Sequence, residues 1–257
     1  MSALGGPGEL PKGATTMDIS QWPILSMLIF LPVAGAGLLF LIPWRGDFLP
    51  KALALVVAGL NLLLSLALFR AFDPSSSGMQ FVEKARWIPE IGASYYLGID
   101  GISLFMVLIT TFMVPMALLS SWEQVERRPK MFYGFMLLLE AGLVGIFLAL
   151  DLLLFYVFWE VMLLPMYFLI GLWGGAERRY ATIKLIIYTM GGSLLMLVAI
   201  LVLYFIHQGQ TGEYTFDITR LYGTTIPPQA LLPMGLAFFA AFAVKSPLFP
   251  FHTWLPD

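Results

Sequence analysis

The sequence predicts an all-α fold, a polytopic transmembrane bundle of about seven helices. Of its 257 residues 59% are hydrophobic and 12% charged, where soluble domains carry about 25% charge. Mean hydropathy is +0.85. The apolar residues also gather into seven stretches near the length of about 20 residues that spans a hydrocarbon core of roughly 30 Å as helix.

In chain order the stretches are 24–42, 52–69, 102–119, 131–150, 152–172, 183–206 and 231–251. Ahead of them, MSALGGPGELPKGATTMDIS matches neither a signal peptide nor a transit peptide, so residues 1–23 read as an extramembrane tail. Pro43 to Asp47, the long segment 70–101, Glu123 to Lys130, Gly174 to Arg179 and 207–230 hold the turn formers and charges of the connections. Only Leu150-Asp151 separates the fourth span from the fifth, which demands a tight antiparallel hairpin and sets residues on the two helices at comparable depths. Gly142, Gly145, Gly191 and Gly192 read as points of close helix approach.

Composition excludes several functions. Fourteen Lys+Arg against 16 Asp+Glu leave a net charge of −2, not the basic face that nucleic acid requires. With no cysteine there are no disulfides, thiolate metal sites or iron–sulfur ligation, and two histidines are too few for common haem or zinc clusters. No glycine fingerprint for nicotinamide or flavin lies between a strand and a helix, and no local pattern supports quinone binding. The chain is therefore expected to carry no cofactor, metal or redox centre. Connections after the first, third and fifth spans hold eight cations (Arg45, Lys51, Arg127, Arg128, Lys130, Arg178, Arg179, Lys184), against five opposite (Lys12, Arg70, Lys84, Arg86, Arg220). That bias places the N-terminus on the non-cytoplasmic side.

Charges inside apolar spans cost roughly 2.5–3.5 kcal/mol each on insertion scales and mark candidate sites. Three lie deep inside a span: Glu140, Glu160 and Lys245. Glu160 lies about eight residues past the Leu150-Asp151 turn, roughly 12 Å deep at about 1.5 Å per residue. Glu140 lies at nearly the same depth on the fourth span, so the two acids are placed to share one proton-holding layer; the alternative reading is that Glu140, with no assigned partner, simply stays protonated and hydrogen-bonded. Lys245 precedes Pro247 and Pro250, which lack the amide hydrogen of a helix interior, so the seventh span should kink or break just beyond it. Breaks of this kind often mark ion pathways. A static salt bridge between Glu160 and Lys245 is the alternative reading. Lys184 reads either as a snorkelling anchor or as a proton gate, and His207 and His252 as solvated or capping groups.

The runs LLLFYVFWEVMLLPMYFLIGLWGG (152–175), KLIIYTMGGS (184–193) and AFAVKSPLFPFHTWLPD (241–257), with LGIDGISLFMVLITTF (97–112), resemble antiporter-like subunit M of proton-pumping NADH–quinone oxidoreductase, respiratory complex I. The resemblance covers roughly residues 97–257. It implies an antiporter-like half with a broken seventh helix, in which Glu160 and Lys245 hold the positions of a functional pair and Lys184 is a weaker match. It also implies partners: other membrane-arm subunits, neighbouring antiporter-like subunits above all, with NADH, FMN, iron–sulfur clusters and quinone in partner subunits. The setting implied is a multi-pass protein of the cell inner (plasma) membrane, conducting protons through the lipid bilayer. On this basis 24–119 are peripheral helices one to three and 120–257 a first antiporter-like repeat. The family has about fourteen helices in two inverted repeats, so a sequence stopping at Asp257 inside a motif is expected to be a truncated chain or the product of a split gene. The rival readings are a subunit of a multisubunit cation/proton antiporter or membrane-bound hydrogenase, and a passive membrane-arm scaffold.

Overall fold

The computed structural model describes residues 22–44 and 46–255. The tail up to residue 21, with Lys12, and also Arg45, Pro256 and Asp257, lie outside the described residues. Every predicted span is helical: α1 (Ile24–Leu41), α2 (Phe48–Ala71), α3 (Gly101–Ser120), α4 (Pro129–Leu148), α5 (Leu152–Val161) continued by α6 (Leu163–Trp173), α7 (Arg178–Thr211) and, after a short α8 (Ile218–Leu221), α9 (Pro228–Lys245). With α5 and α6 taken as one span, seven helices among the described residues are long and apolar enough to cross a membrane.

Local chemistry sets the helix ends. The Asp100 carboxylate accepts from Ser103 N at 2.7 Å and starts α3. Pro129 opens α4, where a missing N–H costs nothing, and Gly212, at φ +75°, closes α7. α9 stops at Lys245, as the two following prolines require. The freed Val244 carbonyl is taken by Trp254 Nε1 at 2.9 Å.

α4 is the most buried span, enclosed by α1, α2 and α3 on one side and by α5 and α6 on the other. Small residues make this possible. A Cβ at Gly145 would come 2.4 Å from the Phe158 ring, and one at Gly192 would come 3.2 Å from Val244 where α9 lies on α7. Gly142 likewise faces Met162, but Gly191 meets nothing within 4 Å, so the expected packing role fails there.

Segment 70–101 holds more than a connection. β1 (Gln80–Ile88) and β2 (Ala93–Ile99) pair antiparallel around a 3-10 turn at Pro89–Ile91. Gly92 follows at φ +70°, and a Cβ there would lie 1.9 Å from Tyr214 O, so conformation and space both demand glycine. The hairpin acts as a clasp across one end of the bundle. Glu83 accepts from Leu25 N at 2.8 Å and from Ser26 N at 3.1 Å, satisfying the first amides of α1, which has no cap of its own. Leu150 N donates to Tyr96 O at 2.8 Å, and Leu152 N to Phe216 O at 2.9 Å. Asp151, fully buried, ties Ser94 N at 2.9 Å to the first turn of α5.

Lys84 closes the clasp on Asp217 at 2.6 Å, its Nζ 4.2 Å from the centroid of the Tyr96 ring. Burial pushes the Asp217 carboxyl up, but hydrogen bonds from Lys84 and Thr219 and the Lys84 charge outweigh it and hold the group below the usual carboxylate range. A depressed acid stabilises the fold above its unfolded pKa and loses that contribution as pH falls through the folded value. Protection of the β1–β2 amides, taken relative to their intrinsic exchange rate at each pH, should therefore fall on acidification more in the wild type than in D217N. Equal acid sensitivity in the two proteins would remove the role given to this pair.

Candidate functional site

α5 carries Glu160 on its last turn, just before a local interruption in the hydrogen bonding of the fifth span. Pro165 cannot donate to the Val161 carbonyl, but Met162 keeps helical dihedrals and α6 continues the span. Lys245 instead stands where α9 ends inside its span. Glu160 and Lys245 are both half-buried.

The structure brings the two together. Trp159, beside Glu160, is buried and meets Phe242 of α9 edge-on with ring centroids 5.4 Å apart. Lys245 Nζ sits 5.4 Å from the ring centroid of Trp159, the residue next to Glu160 on α5. Lys245 Nζ is buried without a hydrogen-bond partner, and so is Glu160 Oε1. One cation donor and one carboxylate oxygen are therefore held in a shared interior region without a direct bond to lock them. Tyr156, one turn from Glu160 on α5, lies within polar range of Glu160 and of Ser193 on α7.

Beyond the break, the chain folds back on α7. Thr253 Oγ1 donates to the Tyr188 hydroxyl at 3.0 Å, and the His252 ring lies 5.7 Å from that of Phe249, its Nδ1 buried and unpartnered. His207 is buried and bonds Thr224 Oγ1 at 2.8 Å, so it is not solvated. Lys184 stands on α7 nearer the arginine-rich turns, its Nζ 5.4 Å from the Tyr180 ring centroid.

Glu140 is not where the shared-layer reading put it. It is fully buried and accepts from Asn61 Nδ2 of α2 at 2.8 Å. Gly145, which meets Phe158 of α5, lies five residues further along α4, about 140° round the helix at roughly 100° per residue. Equal depth did not mean a common face. Sequence reasoning also missed Asn61, Tyr156, Trp159 and Ser193, because it searched the spans for charge alone. A polar Asn61 amid GLNLLLS was the signal for the first of these.

The family model described as NADH:quinone oxidoreductase/Mrp antiporter, TM, matches residues 149–257, and that for the amino terminus of NADH-ubiquinone oxidoreductase chain 4 matches residues 48–150. NADH-quinone oxidoreductase subunit M of Rhodobacter capsulatus is 44% identical over 252 residues, 91% of this chain and 47% of that protein. F(420)H(2) dehydrogenase subunit M of Methanosarcina mazei is 38% identical over 238 residues, 91% of this chain and 48% of that protein. Among solved structures, a chain of respiratory complex I from Thermus thermophilus with bound NADH superposes with a TM-score of 0.77 at 35% identity, over 90% of this chain and 46% of that one. The chain spans about half the length of the curated relatives it matches.

Proposed function

The chain belongs to the subunit M branch of the NADH:quinone oxidoreductase/Mrp antiporter family, and on that premise we propose that it forms a proton half-channel in the membrane arm of an NADH–quinone oxidoreductase. The observation that carries this is the Glu160–Lys245 arrangement: two opposite charges inside the spans, Lys245 at the end of α9, with Glu160 Oε1 and Lys245 Nζ buried and lacking hydrogen-bond partners. When the charges are close, protonated Lys245 is favoured. When they separate in a desolvated site, its proton is released. Lys184 assists proton uptake from the cytoplasmic side, in the orientation the cation bias gives.

Electron transfer belongs to partner subunits carrying NADH, FMN, iron–sulfur clusters and quinone. The neighbours of this chain are other membrane-arm subunits, in the cell inner (plasma) membrane with the N-terminus non-cytoplasmic. Residues 24–119 are the peripheral helices and 120–257 the first antiporter-like repeat. A cation/proton antiporter shares the same charge logic. The chain 4 match over residues 48–150 favours the oxidoreductase.

The test is Lys245→Met in the full-length protein assembled with its partners and returned to sealed vesicles. Assembly is expected to persist while proton uptake per electron pair falls severalfold, read by a pH-sensitive dye. Unchanged stoichiometry would make the chain a passive scaffold.

A further inference from the structure

A second buried polar site lies away from Glu160 and Lys245, between α2 and α4. Asn61 and Glu140 are both fully buried, and Asn61 Nδ2 donates to Glu140 Oε1 at 2.8 Å. The remaining oxygen of each side chain, Asn61 Oδ1 and Glu140 Oε2, is buried without a partner. With the acid ionised, a carboxylate would rest on one neutral N–H in hydrocarbon, and both orphan atoms are acceptors. A buried acceptor left without a donor is unfavourable, and a charged one far more so.

Neighbouring hydroxyls do not relieve this. Ser65, one turn along α2 from Asn61, donates to Leu62 O at 2.8 Å and meets Thr111 Oγ1 at 2.7 Å. Thr111 in turn has Leu108 O at 3.2 Å. A hydroxyl carries a single hydrogen, and these are already committed within their own pair and helices.

One proton resolves both orphans at once. On Glu140 Oε2 it makes a hydroxyl that donates to Asn61 Oδ1, while Asn61 Nδ2 continues to donate to Oε1. The result is a closed acid–amide ring with no net charge and a partner for both orphan acceptors. The terminal torsions of both side chains are soft enough to bring the groups into plane. We propose that Asn61 and Glu140 form such a protonated acid–amide pair, a proton-binding site separate from the Glu160–Lys245 pair, which joins α2 to α4. No covalent bond other than O–H is made, and the proton comes from water.

The experiment uses E140Q and N61L in the full-length protein assembled with its partner subunits. Infrared spectroscopy should show a protonated-carboxyl carbonyl band in wild type that disappears in E140Q. The amide that E140Q introduces can close the same ring, so this variant should assemble and melt with wild type. N61L, which strands the acid, should lower the melting midpoint. The proposal is overturned if E140Q removes no such band. It is equally overturned if E140Q fails to assemble or melts as low as N61L, because either result means that the negative charge itself is needed.

Discussion

Replacing Glu160 by Gln should leave the assembled complex intact and lower redox-linked proton transport at least about tenfold. Gln keeps the volume and the polar end of Glu and removes only the charge, so the packing of Trp159 on Phe242 is undisturbed. What changes is the field at Lys245. Opposite unit charges about 4–7 Å apart attract by roughly 2–4 kcal/mol at an effective dielectric near 20. Carrying one charge through 100 mV takes about 2.3 kcal/mol. The interaction lost is therefore as large as the work done per proton, and a tenfold change needs only about 1.4 kcal/mol. Direct measurement of protons moved per electron pair in sealed vesicles is the check, with assembly verified by native electrophoresis. A normal ratio in E160Q would end the case for a charge-coupled pair. E160D separates two explanations: a shorter acid that keeps the charge should restore part of the transport, which a purely steric role for Glu160 would not predict.

The spans could be read from the chain because the bilayer leaves little choice: about 20 apolar residues in helix satisfy every backbone group internally. Lys245 with Pro247 was legible for a related reason, since a charge and a proline are both costly at that depth. The lost helical hydrogen bond at Met162 was signalled by Pro165 but was hidden by the uniform apolarity of its surroundings. Glu140 was found and then given the wrong neighbour, because depth along a helix is set by residue number while the facing helix is set by tertiary packing. The β1–β2 hairpin escaped for a third reason. Its residues are mostly exposed on β1 and buried on β2, so neither strand shows a clean alternation of apolar and polar residues. Asp151 was read as half of a turn; nothing in its immediate sequence announces Ser94 as a partner.

That partnership makes Asp151→Ala the substitution with the largest expected cost to stability. The carboxylate accepts from Leu153 N at 3.0 Å and Leu154 N at 3.1 Å, so it caps α5, and from Ser94 N at 2.9 Å and Ser94 Oγ at 3.2 Å, so it holds β2 against the helix start. Losing a helix cap costs about 0.5–2 kcal/mol, and a buried donor left unmade costs about 1–3 kcal/mol. Together they give an expected loss of about 1.5–5 kcal/mol, read as a lower melting midpoint and reduced subunit level in membranes. Burial pushes this carboxyl up, against the hydrogen bonds that favour its charged form. D151N avoids the desolvation of a charge but turns an N–H₂ toward one set of donors, so it should lie between wild type and D151A. The effect should also reach Glu160, which stands on the far end of the helix that Asp151 starts. If α5 is released at its first turn, the depth of Glu160 relative to Lys245 is no longer held, and proton transport should fall together with stability. A D151A protein that melts as wild type does would show that the hairpin and the α4–α5 turn are held by their backbone bonds alone.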